Sequence, residues 1–130
     1  MSEYRCLDEL RELMATRWTQ QADARTKFGS IVPASNSAAY SFCLLGGIEH
    51  IIGTTDSQIT YAIADTICYQ PGHETLREML DATTFTLADL ELCIIGFNDS
   101  SSQEDVVRIV TETRDTFPQE DHREGEEPHA

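Results

Sequence analysis

Apolar residues return every three or four positions along most of this chain. Leu7, Leu10, Leu13, Met14 and Trp18 keep helical spacing while Arg5, Asp8, Glu9, Arg11 and Glu12 fill the gaps, which predicts an amphipathic helix over 2–18 with a mixed-charge outer face. From 19 to 37 the period disappears and Gly29, Pro33 and small polar residues take over. A loop of that length is uncommon inside a small domain, so it is expected either to pack on the core through Phe28, Ile31 and Val32 or to be mobile and functional. A second helix is expected from a cap among Ser35, Asn36 and Ser37 to Gly53. Tyr40, Cys43, Leu44, Ile48 and Ile51 point one way around it, and Phe42, Leu45 and Ile52 point the others, so this helix should be central.

A third helix should follow Asp56, turn Ile59, Ala62, Ile63 and Ile67 inward and stop before Pro71-Gly72. A short fourth over 73–82 would bury Leu76, Met79 and Leu80. Thr86 reads as the cap of a fifth, with Asp89 as a weak capping-box partner and Leu87, Leu90, Cys93, Ile94 and Phe97 as its inner stripe. Asn98, Asp99 and three serines then read as a turn. Ser101 or Ser102 would cap a last helix that packs through Val106, Val107, Ile109 and Val110 and ends at Phe117-Pro118. The sum is an all-α fold, a single compact bundle of five to six helices over 1–118. An acidic tail without aliphatic or aromatic residues follows at 119–130 and is expected to be disordered.

Two adjacent glycines, Gly46 and Gly47, interrupt the central helix at up to about 1 kcal/mol each relative to alanine. Such a cost implies a notch in which a neighbour rests against backbone, either a helix or the ring of Trp18, Phe97 or Tyr40. The notch lies within one of three short motifs: "RWTQ" (Arg17 to Gln20), "FCLLGG" (Phe42 to Gly47) and "FND" (Phe97 to Asp99), the last followed by "SQEDVVRIV". Together these resemble a family of small bacterial and phage-associated proteins without an assigned function. That family has a tryptophan-threonine-glutamine stretch, a tryptophan-cysteine-leucine-leucine-glycine-alanine helix and a tryptophan-asparagine-aspartate turn. Phe42, Phe97 and Gly47 depart from its usual tryptophans and alanine. The resemblance implies a helical domain built around Trp18, Cys43, Gly46, Gly47, Asn98 and Asp99, and it supplies no catalytic residue.

Charge narrows the function classes. With 23 acids against 9 bases the formal charge is -14, and Lys27 is the only lysine. Direct nucleic-acid binding needs a clustered basic surplus and is excluded as an expectation. The first residues lack the basic start and apolar core of a secretion signal, and no run approaches the roughly 18 apolar residues of a membrane span, so a cytoplasmic protein is expected. Cys6, Cys43, Cys68 and Cys93 fall inside apolar helical patterns and read as reduced, buried thiols. Without CxxC, HExxH, GxSxG or a glycine-rich phosphate loop, no metal and no cofactor are expected. Glu49 and His50 are adjacent and so point about 100° apart on a helix. His73, His122 and His129 are dispersed, and Asn98 with Asp99 suits a turn-capping role.

The reading these features favour is a non-enzymatic, acidic protein that binds a basic protein partner, with Glu120, Asp121, Glu124, Glu126 and Glu127 of the tail as docking residues. Its most concrete form is a phage or mobile-element inhibitor of a host nucleic-acid-binding complex, of the anti-CRISPR or DNA-mimic kind, with carboxylates competing for the cations that hold phosphates. Two alternatives stand beside it. One is a small-ligand binder or enzyme with a pocket between the central helix and the long loop, using Glu49, His50 or Asp99. The other is a structural domain that forms a homodimer through exposed aromatics.

Overall fold

A computed structural model describes residues 2–82 and 84–118. The acidic stretch 119–130, with its five proposed docking carboxylates, lies outside the described residues. Six helices form the bundle: α1 (Glu3–Thr16), α2 (Leu44–Ile52), α3 (Gln58–Cys68), α4 (Glu74–Ala82), α5 (Leu87–Ser100) and α6 (Gln103–Arg114). Helix α1 lies along α6 and across α2, α3 packs against α4, α5 and α6, and α2 rests on α5. The all-α expectation holds, with one addition. The stretch after α1 contributes a small antiparallel sheet of β1 (Ala24–Arg25), β2 (Ile31–Val32) and β3 (Ser41–Phe42), in the order β2-β1-β3.

The sheet corrects the reading of 19–37 as an unstructured loop. Each strand is two residues long, too short for a period of two to register, and it exists through the long-range pairs Ala24↔Val32 and Ala24↔Phe42. Phe28 and Ile31 do not pack on the core; they are 95% and 65% exposed. The inward-facing residues here are Ala24 and Ala34, with Val32 half-buried against them.

Helix α2 also starts later than its apolar run suggests. Ser41 and Phe42 are spent on β3, and Cys43 is the N-cap, its Sγ accepting the Gly46 N–H at 3.2 Å. The helix stops where expected, at Gly53, whose left-handed φ of 96° only a glycine adopts cheaply. Its first turn and a half, Leu44 to Ile48, is buried. Glu49, Ile51 and Ile52 are half-buried, His50 is exposed, and Tyr40 lies on the surface before the helix begins.

The notch admits no aromatic ring. A Cβ on Gly46 would overlap the backbone carbonyl oxygen of Asp23, and one on Gly47 would meet Leu10 Cδ1 at 2.9 Å and Met14 Cε at 3.0 Å. Gly46 therefore lets β1's approach strand run against the helix, and Gly47 lets α1 close on it.

At the other end of the chain, Thr86 and Asp89 form the full capping box: Asp89 N–H donates to Thr86 Oγ1 and Thr86 N–H to Asp89 Oδ2. Asn98, Asp99 and Ser100 belong to the last turn of α5, not to a turn beyond it. The reversal is made by Ser101 and Ser102, and Ser102 caps α6 by accepting the Asp105 N–H. Two polar side chains of the outer face of α1 reach α6: Asp8 pairs with Arg114 at 2.8 Å, and Arg11 Nε donates to Thr111 Oγ1 at 3.0 Å.

Candidate functional site

The three motifs, distant in sequence, meet around one side chain. Asn98 is fully buried near the end of α5. Its Oδ1 accepts from Trp18 Nε1 at 2.7 Å and from the Leu44 N–H, the first residue of α2, at 3.0 Å. Its Nδ2 donates to the Thr19 carbonyl at 3.1 Å and to Asp99 Oδ1 at 3.2 Å. Every hydrogen-bonding capacity of the amide is used, so Asn98 joins the segment after α1, the start of α2 and the end of α5. The turn-capping role expected of Asn98 is thus replaced by a tertiary one, because the residue faces inward within the last turn of the helix.

Gln20 completes the joint from the same segment. Its Nε2 donates to the carbonyls of Asn98, Asp99 and Ser101, at 3.1, 3.3 and 2.9 Å, which are groups an α-helix leaves without intrahelical partners at its C-terminus. The next residue, Gln21, adopts a left-handed φ of 62°, and its N–H donates to Asp99 Oδ1 at 2.8 Å. Asp99 thereby pins a backbone conformation that a glutamine adopts at a cost. From Gln21 the chain runs past α2, where the Asp23 carbonyl accepts the Cys43 N–H at 3.0 Å and lies against Gly46.

This joint walls an open cleft of about 370 Å³ lined by Gln21, Asp23, Cys43, Ile95 and Asp99. It continues past Asp23 and Ile95 into a second space of about 390 Å³ bordered by Gly46, Glu49, Thr55, Glu91 and Leu92. Carboxylates of Asp23, Glu49, Glu91 and Asp99 therefore edge one trough. Glu91 also accepts a hydrogen bond from Thr55 Oγ1. The C-terminal end of α5 carries the negative pole of its dipole into the same region, so the local potential is negative twice over. Among the described residues no Lys or Arg lines either space.

His50 is not part of this trough. Its ring stacks on Phe42, centroids 4.4 Å apart, and borders a different groove with Glu9, Glu12 and Arg17. Glu49, His50 and Asp99 are therefore not assembled into one site. His73 sits against Phe97, ring centroids 5.9 Å apart, and His122 and His129 lie outside the described residues. Among the described residues no group of three or more His, Cys, Asp or Glu side chains is placed to hold a metal ion. The Cys43 thiol, buried behind the cleft wall, is pushed up to about 11, chiefly by burial, against the pull of the Gly46 N–H. Such a thiol is a capping hydrophobe rather than a nucleophile. No helix among the described residues is long and apolar enough to cross a membrane.

A family model matches residues 3–116, which takes in all six helices and the whole joint around Asn98. The chain belongs to DUF6197, a family of unknown function. No curated protein and no solved structure shows significant similarity to it. The family match spans the Trp18, Cys43–Gly47 and Asn98–Asp99 segments alike. Sequence reasoning had singled these out but missed Asp23 and the reach of Gln20. Asp23 sits in an aperiodic stretch, and Gln20 shows its role only once α5 is beside it.

Proposed function

We propose that this chain is a non-enzymatic protein-binding domain whose acidic side, formed by α5 and the trough beneath it, docks on a basic surface of a partner protein. The observation that supports this is the division of charge along the chain, together with the carboxylates that edge the trough. From Leu44 to Ser100, α2 to α5 and their connections carry nine acids and a single base, Arg77. Helices α1 and α6, by contrast, mix both signs and pair them, as in Arg114 with Asp8 and Arg108 with Glu112. Paired charges on a solvated helix face contribute little to recognition, whereas carboxylates around a trough that no described Lys or Arg lines steer and select a basic partner.

The sharpest form of the reading is an inhibitor acting in the cytoplasm, encoded by a phage or mobile element, that occupies a basic nucleic-acid channel. Its carboxylates would then stand where phosphates bind. The test is capture from nuclease-treated bacterial lysate with the full chain, with a variant carrying Asp23→Asn, Glu49→Gln and Asp56→Asn, and with a variant carrying Glu9→Gln, Glu12→Gln and Glu104→Gln. The reading expects a basic protein held by the full chain and by the second variant, lost from the first, and released by salt or by duplex DNA. Capture indifferent to salt and to the first set of substitutions would contradict it.

A further inference from the structure

The three-stranded sheet and its connections are built from a stretch without acids, and they expose apolar side chains. From Ala24 to Ile48 there is no Asp or Glu in a sequence that holds 23 of them. This stretch forms the three-stranded sheet, and it presents Phe28 at 95%, Ile31 at 65% and Tyr40 at 40% exposure. Beside Phe28 lies a groove of about 540 Å³ bordered by Lys27, Ala38, Ala39 and Tyr40. Isolated exposed apolar residues need no explanation, but Phe28 and Tyr40 lining one groove, with Ile31 exposed on the neighbouring strand, do.

We infer that this sheet end is a self-complementary surface on which a second copy of the chain docks about a two-fold axis, each Phe28 entering the other copy's groove. An isologous interface requires a knob and its hole on the same patch, and here they are adjacent. Charge selects the occupant. Any pairing of two copies through α2 to α5 brings carboxylates together, whereas the sheet end brings none. An acidic partner is less well suited, because the guanidiniums here already hold carbonyls and hydroxyls. Arg25 donates to Thr19 Oγ1, Gly29 O and Gln20 O, and Arg17 lies 4.5 Å over the Tyr40 ring while its Nε donates to the Tyr40 carbonyl. Lys27 is the exposed cation, its ammonium 5.6 Å from the same ring. The attraction is therefore apolar burial, opposed by the like charge of the two copies' Lys27.

Sedimentation equilibrium on the full chain tests this. The expected result is a monomer–dimer equilibrium that is unchanged or tightened by added salt, since screening relieves the repulsion between two acidic chains. A Phe28→Ser, Ile31→Ser double variant should weaken it by at least about tenfold, while Tyr69→Ser, at an exposed aromatic away from the sheet, leaves it intact. Phe28 and Ile31 touch little of the core, and circular dichroism of the variant confirms its fold. A chain that stays monomeric up to millimolar concentration would overturn the inference. So would a dimer indifferent to the double variant, or species larger than a dimer that salt dissolves, which is the signature of a head-to-tail acid-to-base contact.

Discussion

The indole Nε1 of Trp18 donates to the side-chain oxygen of Asn98 at 2.7 Å, across 80 residues of sequence. That bond fixes the end of α1 to the end of α5, and the same oxygen holds the first N–H of α2. The trough and its carboxylates are positioned by this joint rather than by the helix packing alone. The segment carrying Gln21 and Asp23 is threaded between α2 and α5 by bonds from Thr19, Gln20 and Gln21 to α5.

Replacing Asn98 with alanine leaves the partly buried Trp18 donor and the buried Leu44 donor without their acceptor. Each unsatisfied group costs about 1–3 kcal/mol, so Asn98→Ala is expected to lower unfolding free energy by about 2–4 kcal/mol in urea titrations. A loss below about 0.5 kcal/mol would mean that water reaches these groups as readily as the amide does.

The two glycines should respond in opposite measure. Gly46→Ala sets a methyl group against the Asp23 backbone, which cannot yield without moving the segment it belongs to, and is expected to cost about 2–4 kcal/mol. Gly47→Ala meets only the flexible tips of Leu10 and Met14, and the gain in helix propensity offsets most of that crowding, leaving the net change within about 1 kcal/mol. Denaturation midpoints rank the two directly, and the reverse order would refute this packing of the notch.

Alkaline pH should reveal Cys43. Its thiol is held at about 11 in the folded chain, above an ordinary value near 9, so below pH 9 both states keep the proton and nothing is lost. As pH rises from 9 towards 11 the unfolded thiol ionises first and draws the equilibrium towards unfolding, a loss of about 2–3 kcal/mol. Serine at this position still caps α2 and does not ionise. Cys43→Ser is therefore expected to lose less stability between pH 9 and pH 11 than the parent chain, measured as the difference between the two urea curves. Equal losses would show that Cys43 has no part in the alkaline slope.

How legible the molecule was depended on how local each signal is. The stops at Gly53 and before Pro71, the Thr86–Asp89 capping box and the inward stripe of α6 are set within a few residues and were readable. Where tertiary pairing decides, the pattern misled. Phe42 looked helical because it continues an apolar run, yet Ala24 claims it for a strand. Asn98 looked like a turn residue by composition, yet a helix turn buries it against Trp18. The candidate site had the same limit. Its motif residues could be named singly, but their meeting at one amide and the carboxylate trough beside it required the fold.

The most direct test of this joint is a double-mutant cycle with Trp18→Phe, which removes the indole N–H together with part of the ring, and Asn98→Ala, with stabilities from urea unfolding, the cycle cancelling the packing loss common to both backgrounds. A coupling energy of about 1–3 kcal/mol between the two positions is predicted. Additive effects, with coupling indistinguishable from zero, would contradict the claim that the three segments are held as one unit through Asn98.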